Sequence, residues 1–157
     1  MTTTLLILLL IFQLKHFIAD YPLQNEYMLG KFKDKGWILP LLTHCLVQLV
    51  FTFTISLIYS NSLILALKLS IFDLTIHFIM DRIKASPKML GRFEALTKRD
   101  FIEYQNDLRA SFEMYKHTIT KPFEKRKRSN KLFWWSLGLD QMIHHITDIL
   151  IIYFLVK

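Results

Sequence analysis

The sequence predicts an all-α membrane protein in which four transmembrane helices form a single bundle. Hydrophobic residues make up 52% of the 157 positions, yet charged residues still reach 21%. The two classes are segregated, because four apolar blocks carry most of the Leu, Ile, Phe and Val while one long block carries most of the charge. A span of the bilayer core needs about 20 predominantly apolar residues, and the four blocks approach or reach that length.

The four apolar blocks predict helices at about residues 4–19, 37–59, 62–81 and 132–156. Only Ser60-Asn61 separates the second block from the third, which predicts a tight helical hairpin. The first block lacks a basic segment before it and a small-x-small cleavage site after Ile18, so we expect a retained helix rather than a signal peptide. Buried helices of soluble proteins are usually shorter and show a polar face, which favours the membrane interpretation.

Lys and Arg indicate the orientation of the bundle. Fourteen of the twenty basic residues lie between Arg82 and Lys131, three lie between the first two blocks, and the hairpin at Asn61 has none. Basic loops stay on the cytoplasmic side. We therefore expect both basic loops in the cytoplasm.

The segment 82–131 is predicted to be a basic cytoplasmic insert that contains an amphipathic helix. Within Thr97–Lys116, apolar residues fall on one helical stripe. The Lys125–Arg128 run suits anionic lipid headgroups. Because any membrane protein of this orientation has basic cytoplasmic loops, the bilayer is the expected partner and nucleic acid is not. Homo-oligomers are left open, and the single cysteine, Cys45, excludes an internal disulfide.

Ionisable residues inside the spans are costly in hydrocarbon, so each is a functional hypothesis. The pattern H-F-I-x-D closes two helices, as His16 to Asp20 and as His77 to Asp81. The fourth block begins with the reverse order, Asp140 to His144, on a helix of opposite direction. A spacing of four puts both side chains on one face, with Asp nearer the cytoplasm and His one turn deeper.

The second block adds His44, with Gln48 one turn deeper, so each span brings a histidine towards its cytoplasmic half. The repeated pattern suggests that blocks one-two and three-four are related hairpins. The structural alternative is that these side chains reach interfacial water or that each His–Asp pair satisfies itself. Three such pairs and His44, all towards one side, favour a functional polar cluster.

Imidazole and carboxylate are ligands of zinc, manganese and iron, and helical bundles build metal sites from such inward-facing residues. We therefore expect a divalent metal ion as the cofactor, and we expect Asp20, Asp81 and Asp140 to serve as catalytic bases or orienting groups. The predicted metal ligands are His16, Asp20, His44, His77, Asp81, Asp140 and His144.

Four other charged residues in the spans carry less weight. Asp73 and Asp148 lie one turn deeper than His77 and His144, as supporting partners or proton relays. Lys15 and Lys68 are expected to extend their ammonium groups towards the membrane surfaces.

The same residues resemble a known family. His16-x-x-x-Asp20-Tyr-x-Leu-Gln24, His44, His77-Phe-x-x-Asp81-x-x-Lys84 and Asp140-Gln141-x-x-His144 are similar to a small bacterial and phage membrane family, domain of unknown function 3307. The resemblance covers nearly the whole chain apart from Lys88–Lys131. It implies a multi-helix inner-membrane protein and supplies no activity. A looser similarity links the chain to membrane-bound metal-dependent hydrolases.

Three functions remain open at this point. The first is a metal-dependent hydrolase that acts on a phospholipid or polyprenyl-linked headgroup of the inner leaflet. The second is a proton or divalent-ion transporter or channel, in which Lys68, Asp73 and Asp148 would continue the path outward. The third is a non-enzymatic phage or host membrane factor that binds a partner through Arg82–Lys131. The spans carry no continuous charged track to the outer side, which favours the hydrolase.

Overall fold

The computed structural model describes residues 2–33, 35–86, 89–90, 93 and 131–157. The long helices are α1 (Thr2–Asp20), α2 (Ile38–Ser60), α3 (Leu63–Ala85) and α4 (Lys131–Val156), with a short 3-10 helix at Met28–Phe32. All four long helices are long and apolar enough to cross a membrane. The predicted all-α, multi-pass fold is therefore confirmed, while the amphipathic helix expected at Thr97–Lys116 lies outside the described residues.

The hairpin between α2 and α3 is built by local capping. Asn61 adopts the left-handed conformation, with φ of 50°, and its N–H donates to the carbonyl of Leu57. Asn is among the few residues that accept this conformation at a helix C-terminus. Ser62 then caps α3, because its hydroxyl accepts a hydrogen bond from the N–H of Leu65. At its other end, α3 continues to Ala85, four residues beyond the predicted end.

The four helices close into a bundle in chain order. Each helix packs against the next, and α1 packs against α4 to complete the ring. The outward faces are apolar, with Leu10 and Ile58 among the most exposed side chains. Such faces suit contact with lipid tails, which offer no hydrogen-bond partner to a polar group.

The interior of the bundle changes character along its length. At the end near the α2–α3 hairpin it holds an apolar core of Leu8, Phe12, Leu69, Ile151, Ile152 and Leu155. Towards the opposite end the buried side chains are mostly polar or charged. The bundle thus has one mainly apolar half and one polar half, and the polar half lies next to the basic loops.

The connection from α1 to α2 folds back under the polar half. The Asn25 side chain accepts a hydrogen bond from the N–H of Met28 at 3.0 Å. Gly30 packs so closely on α2 that a Cβ at this position would lie 2.9 Å from Pro40 Cγ. This close approach requires glycine, and it turns the neighbouring Lys31 side chain into the bundle, where it is 2% exposed.

The predicted orientation can be tested by cysteine labelling. The native Cys45 is buried, so it should not react with a membrane-impermeant maleimide. In intact spheroplasts, the reagent should label an Asn61→Cys variant and should label a Lys35→Cys variant only after the membrane is broken. Both positions are exposed. Labelling in the opposite order would place the basic loops outside.

Candidate functional site

The polar half of the bundle contains all seven residues predicted as metal ligands. The Asp20 side chain is 10% exposed, and the other six are 4% exposed or less. Together with Lys15, Lys31, Gln48, Thr52, Asp73, Lys84 and Asp148 they form one buried polar cluster. Their individual roles stay predictions, since burial and proximity alone do not assign chemistry.

Three of the seven form a candidate metal group, which consists of Asp81 on α3 and of Asp140 and His144 on α4. One ligand atom from each residue lies within 4.8 Å of the others, and all three residues are buried. Nδ1 of His144 has no hydrogen-bond partner among the described residues. Two carboxylates and an imidazole with a free nitrogen are a donor set that zinc, manganese or iron accepts.

Two lysines contact the carboxylates of this group. Lys84 Nζ lies 2.7 Å from Asp140 Oδ2 and 3.2 Å from Asp81 Oδ1. Lys31 Nζ lies 3.2 Å from the other oxygen of Asp81, Oδ2. Sequence reasoning assigned neither lysine a role. The spacing of three between Asp81 and Lys84 is a signal that could have found one pair, whereas the burial of Lys31 depends on the path of a loop.

Asp20 is connected to the candidate metal group through His44. His44 Nε2 lies 3.0 Å from Asp81 Oδ2 and 3.4 Å from Asp20 Oδ1. Asp20 also accepts a hydrogen bond from Gln48 Nε2 at 2.8 Å and lies 3.2 Å from His16 Nε2. The side chains from α1 and α2 therefore hold one carboxylate beside the group that α3 and α4 provide.

Three imidazoles form the middle layer of the polar cluster. The rings of His77 and His144 stack at 4.0 Å with an interplanar angle of 11°. The ring of His16 lies 5.5 Å from that of His77 and 5.2 Å from that of His144. These contacts bring α1, α3 and α4 together at one depth.

The three predicted His–Asp pairs do not behave alike. His16 contacts Asp20, and His144 Nε2 lies 3.4 Å from Asp140 Oδ1. His77 instead lies 3.4 Å from Asp73, one turn deeper on α3. Asp81 instead contacts His44, Lys31 and Lys84. The repeated motif therefore forms a His–Asp contact in α1 but not between His77 and Asp81 in α3.

Lys15 lies on the inner side of α1, and the prediction that it extends to the membrane surface is wrong. Its ammonium lies 3.0 Å from Asp73 Oδ2 and 3.0 Å from Asp148 Oδ1, and its side chain is 1% exposed. The hydroxyl of Thr52 contacts both Lys15 and Asp73. This Lys15 ion-pair group lies about 12 Å deeper along α3 and α4 than the candidate metal group. Two carboxylates hold the lysine there, because an unpaired charge would be costly at that depth.

Comparison with known proteins identifies a family. Residues 5–157 match the model of a family described as "Protein of unknown function (DUF3307)". The match confirms the resemblance, and its bounds also enclose the segment from Lys88 to Lys131 that we expected to fall outside. No curated protein and no solved structure matches the chain significantly.

Removal of Lys15 should destabilise the bundle. A Lys15→Met variant leaves two buried carboxylates without their cation, so we expect a loss of about 3–5 kcal/mol in the free energy of unfolding. Adding Asp73→Asn and Asp148→Asn should restore most of it, because the uncompensated charges are then gone. Unfolding in detergent micelles measures this effect, with Lys68→Met as the exposed control on α3. Wild-type stability of Lys15→Met would contradict the ion-pair assignment.

Proposed function

Since the chain belongs to the DUF3307 family and carries a buried acid–imidazole group, we propose that it is a metal-dependent membrane hydrolase. The observation that carries the proposal is the convergence of Asp81, Asp140 and His144, whose ligand atoms lie within 4.8 Å of one another. The enzyme works at the cytoplasmic leaflet, because the polar half of the bundle adjoins the basic loops.

In this proposal, each layer of the polar cluster has a task. Asp81, Asp140 and His144 would hold a divalent ion, which would supply an activated water and a Lewis acid for an ester, amide or phosphoryl oxygen. His44 orients Asp81 through its 3.0 Å contact and connects it to Asp20. Asp20, the most exposed of the three candidate carboxylates, accepts the proton of the attacking water. His16 and His77 support the site by packing on His144.

The substrate reaches this group from the cytoplasmic leaflet. The substrate enters beside Lys84, since the Lys84 side chain is 23% exposed while the Asp140 side chain that it contacts is 3% exposed. A bundle whose outer faces meet lipid and whose site lies beside the loops suits a substrate anchored in the membrane. Phospholipids and polyprenyl-linked headgroups have this form, with the reactive bond at the level of the interface.

Transport is the second candidate, and the Lys15 ion-pair group is the observation that favours it. Charged residues there continue the polar cluster well beyond the candidate metal group. A transporter must also carry its ion through the outer half, where Leu8, Phe12 and Ile151 pack in an apolar core. Lys68, expected on such a path, is exposed on α3. The hydrolase is therefore the better-supported function. The third alternative, a factor that binds partners through its loop, concerns Arg82–Lys131, most of which lies outside the described residues.

Metal analysis tests the proposed function directly. Protein purified in detergent should contain stoichiometric zinc, manganese or iron by mass spectrometry, and Asp140→Asn should weaken its retention by at least about tenfold. Asp148→Asn is the matched control, because it removes a buried carboxylate from the same helix two turns away.

The result separates the two candidates. Equal metal content in wild type and Asp140→Asn would exclude the candidate metal group. Metal-free protein that takes up no added divalent ion would exclude the hydrolase, and proton flux in proteoliposomes would then test transport. If Asp140→Asn loses the metal and Asp148→Asn keeps it, assays against headgroup esters are justified.

A further inference from the structure

The ammonium group of Lys84 lies between the two carboxylates of the candidate metal group. Its Nζ is 2.7 Å from Asp140 Oδ2 and 3.2 Å from Asp81 Oδ1. A divalent ion held by both carboxylates would repel a cation at such distances. Lys84 can move away, because its side chain is partly exposed and it lies in the last turn of α3. Lys31, which belongs to the α1–α2 connection, cannot move away in this way, since it is 2% exposed.

The charges around the group change sign when a divalent ion enters. Near the loops, the carboxylates of Asp20, Asp81 and Asp140 face the ammonium groups of Lys31 and Lys84, which leaves one negative charge with neutral imidazoles. A divalent ion converts this balance to one positive charge. As long as the Lys84 ammonium stays near the group, that excess favours the binding of an anion.

A third cation, Arg82, contacts the backbone of Lys31. The guanidinium of Arg82 is 3.7 Å from the ring centroid of Trp37, and it donates a hydrogen bond to the carbonyl of Lys31 at 3.4 Å. Arg82 is partly exposed, on the same end of α3 as Lys84. Among the described residues, Lys31 and Lys84 thus contact the carboxylates of the metal group and Arg82 contacts Lys31, and such cations bind anions.

From this geometry we infer that the substrate carries a phosphate group, which Lys84 binds after it leaves Asp81 and Asp140 to the metal ion. This inference rests on the proposed function. A phosphate oxygen can contact a divalent ion and an ammonium group together, so Lys84 exchanges two carboxylate partners for one phosphate. Lys31 remains on Asp81 and keeps that carboxylate oriented.

Phosphorus NMR of the manganese-loaded protein tests the inference without any turnover. Bound Mn²⁺ broadens the resonance of a phosphate that lies close to it. Inorganic phosphate should be broadened by the wild type and by Lys68→Met, the matched lysine control on the same helix. Lys84→Met should retain manganese, since the competing ammonium is gone, but bind phosphate at least about tenfold more weakly.

The outcomes distinguish the two levels of the proposal. Wild-type protein that holds manganese but does not broaden phosphate would overturn the phosphate inference and leave the metal group standing. Protein that holds no manganese, zinc or iron would overturn both. Equal broadening by Lys84→Met and Lys68→Met would also overturn the role of Lys84.

A second pair of probes identifies the source of the phosphate. Glycerophosphoglycerol is a soluble phosphodiester, whereas phosphatidylglycerol in mixed micelles presents the same phosphodiester at an interface. Metal-dependent broadening of only the lipid, absent in Asp140→Asn, would support a lipid headgroup. Broadening of only the soluble ester would support a soluble phosphate. Broadening of neither would contradict the assignment of a phosphoester substrate.

Discussion

Four aspartates are buried in the polar half of this bundle and a fifth, Asp20, is nearly so, and the pairing of their charges governs the contacts around them. A carboxylate in hydrocarbon is costly unless a cation or a hydrogen-bond donor meets it. Three lysines supply most of the compensation, one deep in the bundle and two near the loops. In the proposed function, the negative charge that remains near the loops would favour a metal ion.

This requirement explains why the helices meet as they do. Lys15 on α1 joins Asp73 on α3 to Asp148 on α4, so its ion pairs connect three helices at the middle of the bundle. Nearer the loops, His44 on α2 joins Asp20 to Asp81. Buried ion pairs contribute little net stability when compared with apolar packing. The apolar core at the other end supplies much of the packing.

The division of the bundle into two halves also limits what it can do. An apolar core of Leu8, Phe12 and Ile151 lies beyond the Lys15 ion-pair group, and the polar residues buried in that half, Ser56 and Ser70, carry no charge. Hydrolysis at one membrane surface needs no charged route across that half. In the proposed function, Lys84 would connect metal binding with substrate binding, because the ammonium that contacts Asp81 and Asp140 would bind an anion when a metal ion takes its place.

The sequence by itself determined the four spans and the depth of the histidines and aspartates. Apolar length and helical spacing are local properties, so the H-F-I-x-D pattern was enough to place His16, Asp20, His77 and Asp81 on inward faces. Only the tertiary structure decided which side chains meet. Asp73 and Asp81 both lie one turn from His77 on α3. His77 contacts Asp73 because residues of neighbouring segments, His44 and Lys31, contact Asp81.

The lysines show this limit most clearly. A lysine in a span can extend to the surface or stay inside, and the choice depends on whether carboxylates from other helices surround it. Asp73 and Asp148 keep Lys15 inside. The burial of Lys31 depends on the return of the α1–α2 connection, where Gly30 packs on α2. Such contacts between segments distant in the chain leave no periodic signal in the sequence, and they decided the electrostatics of the site.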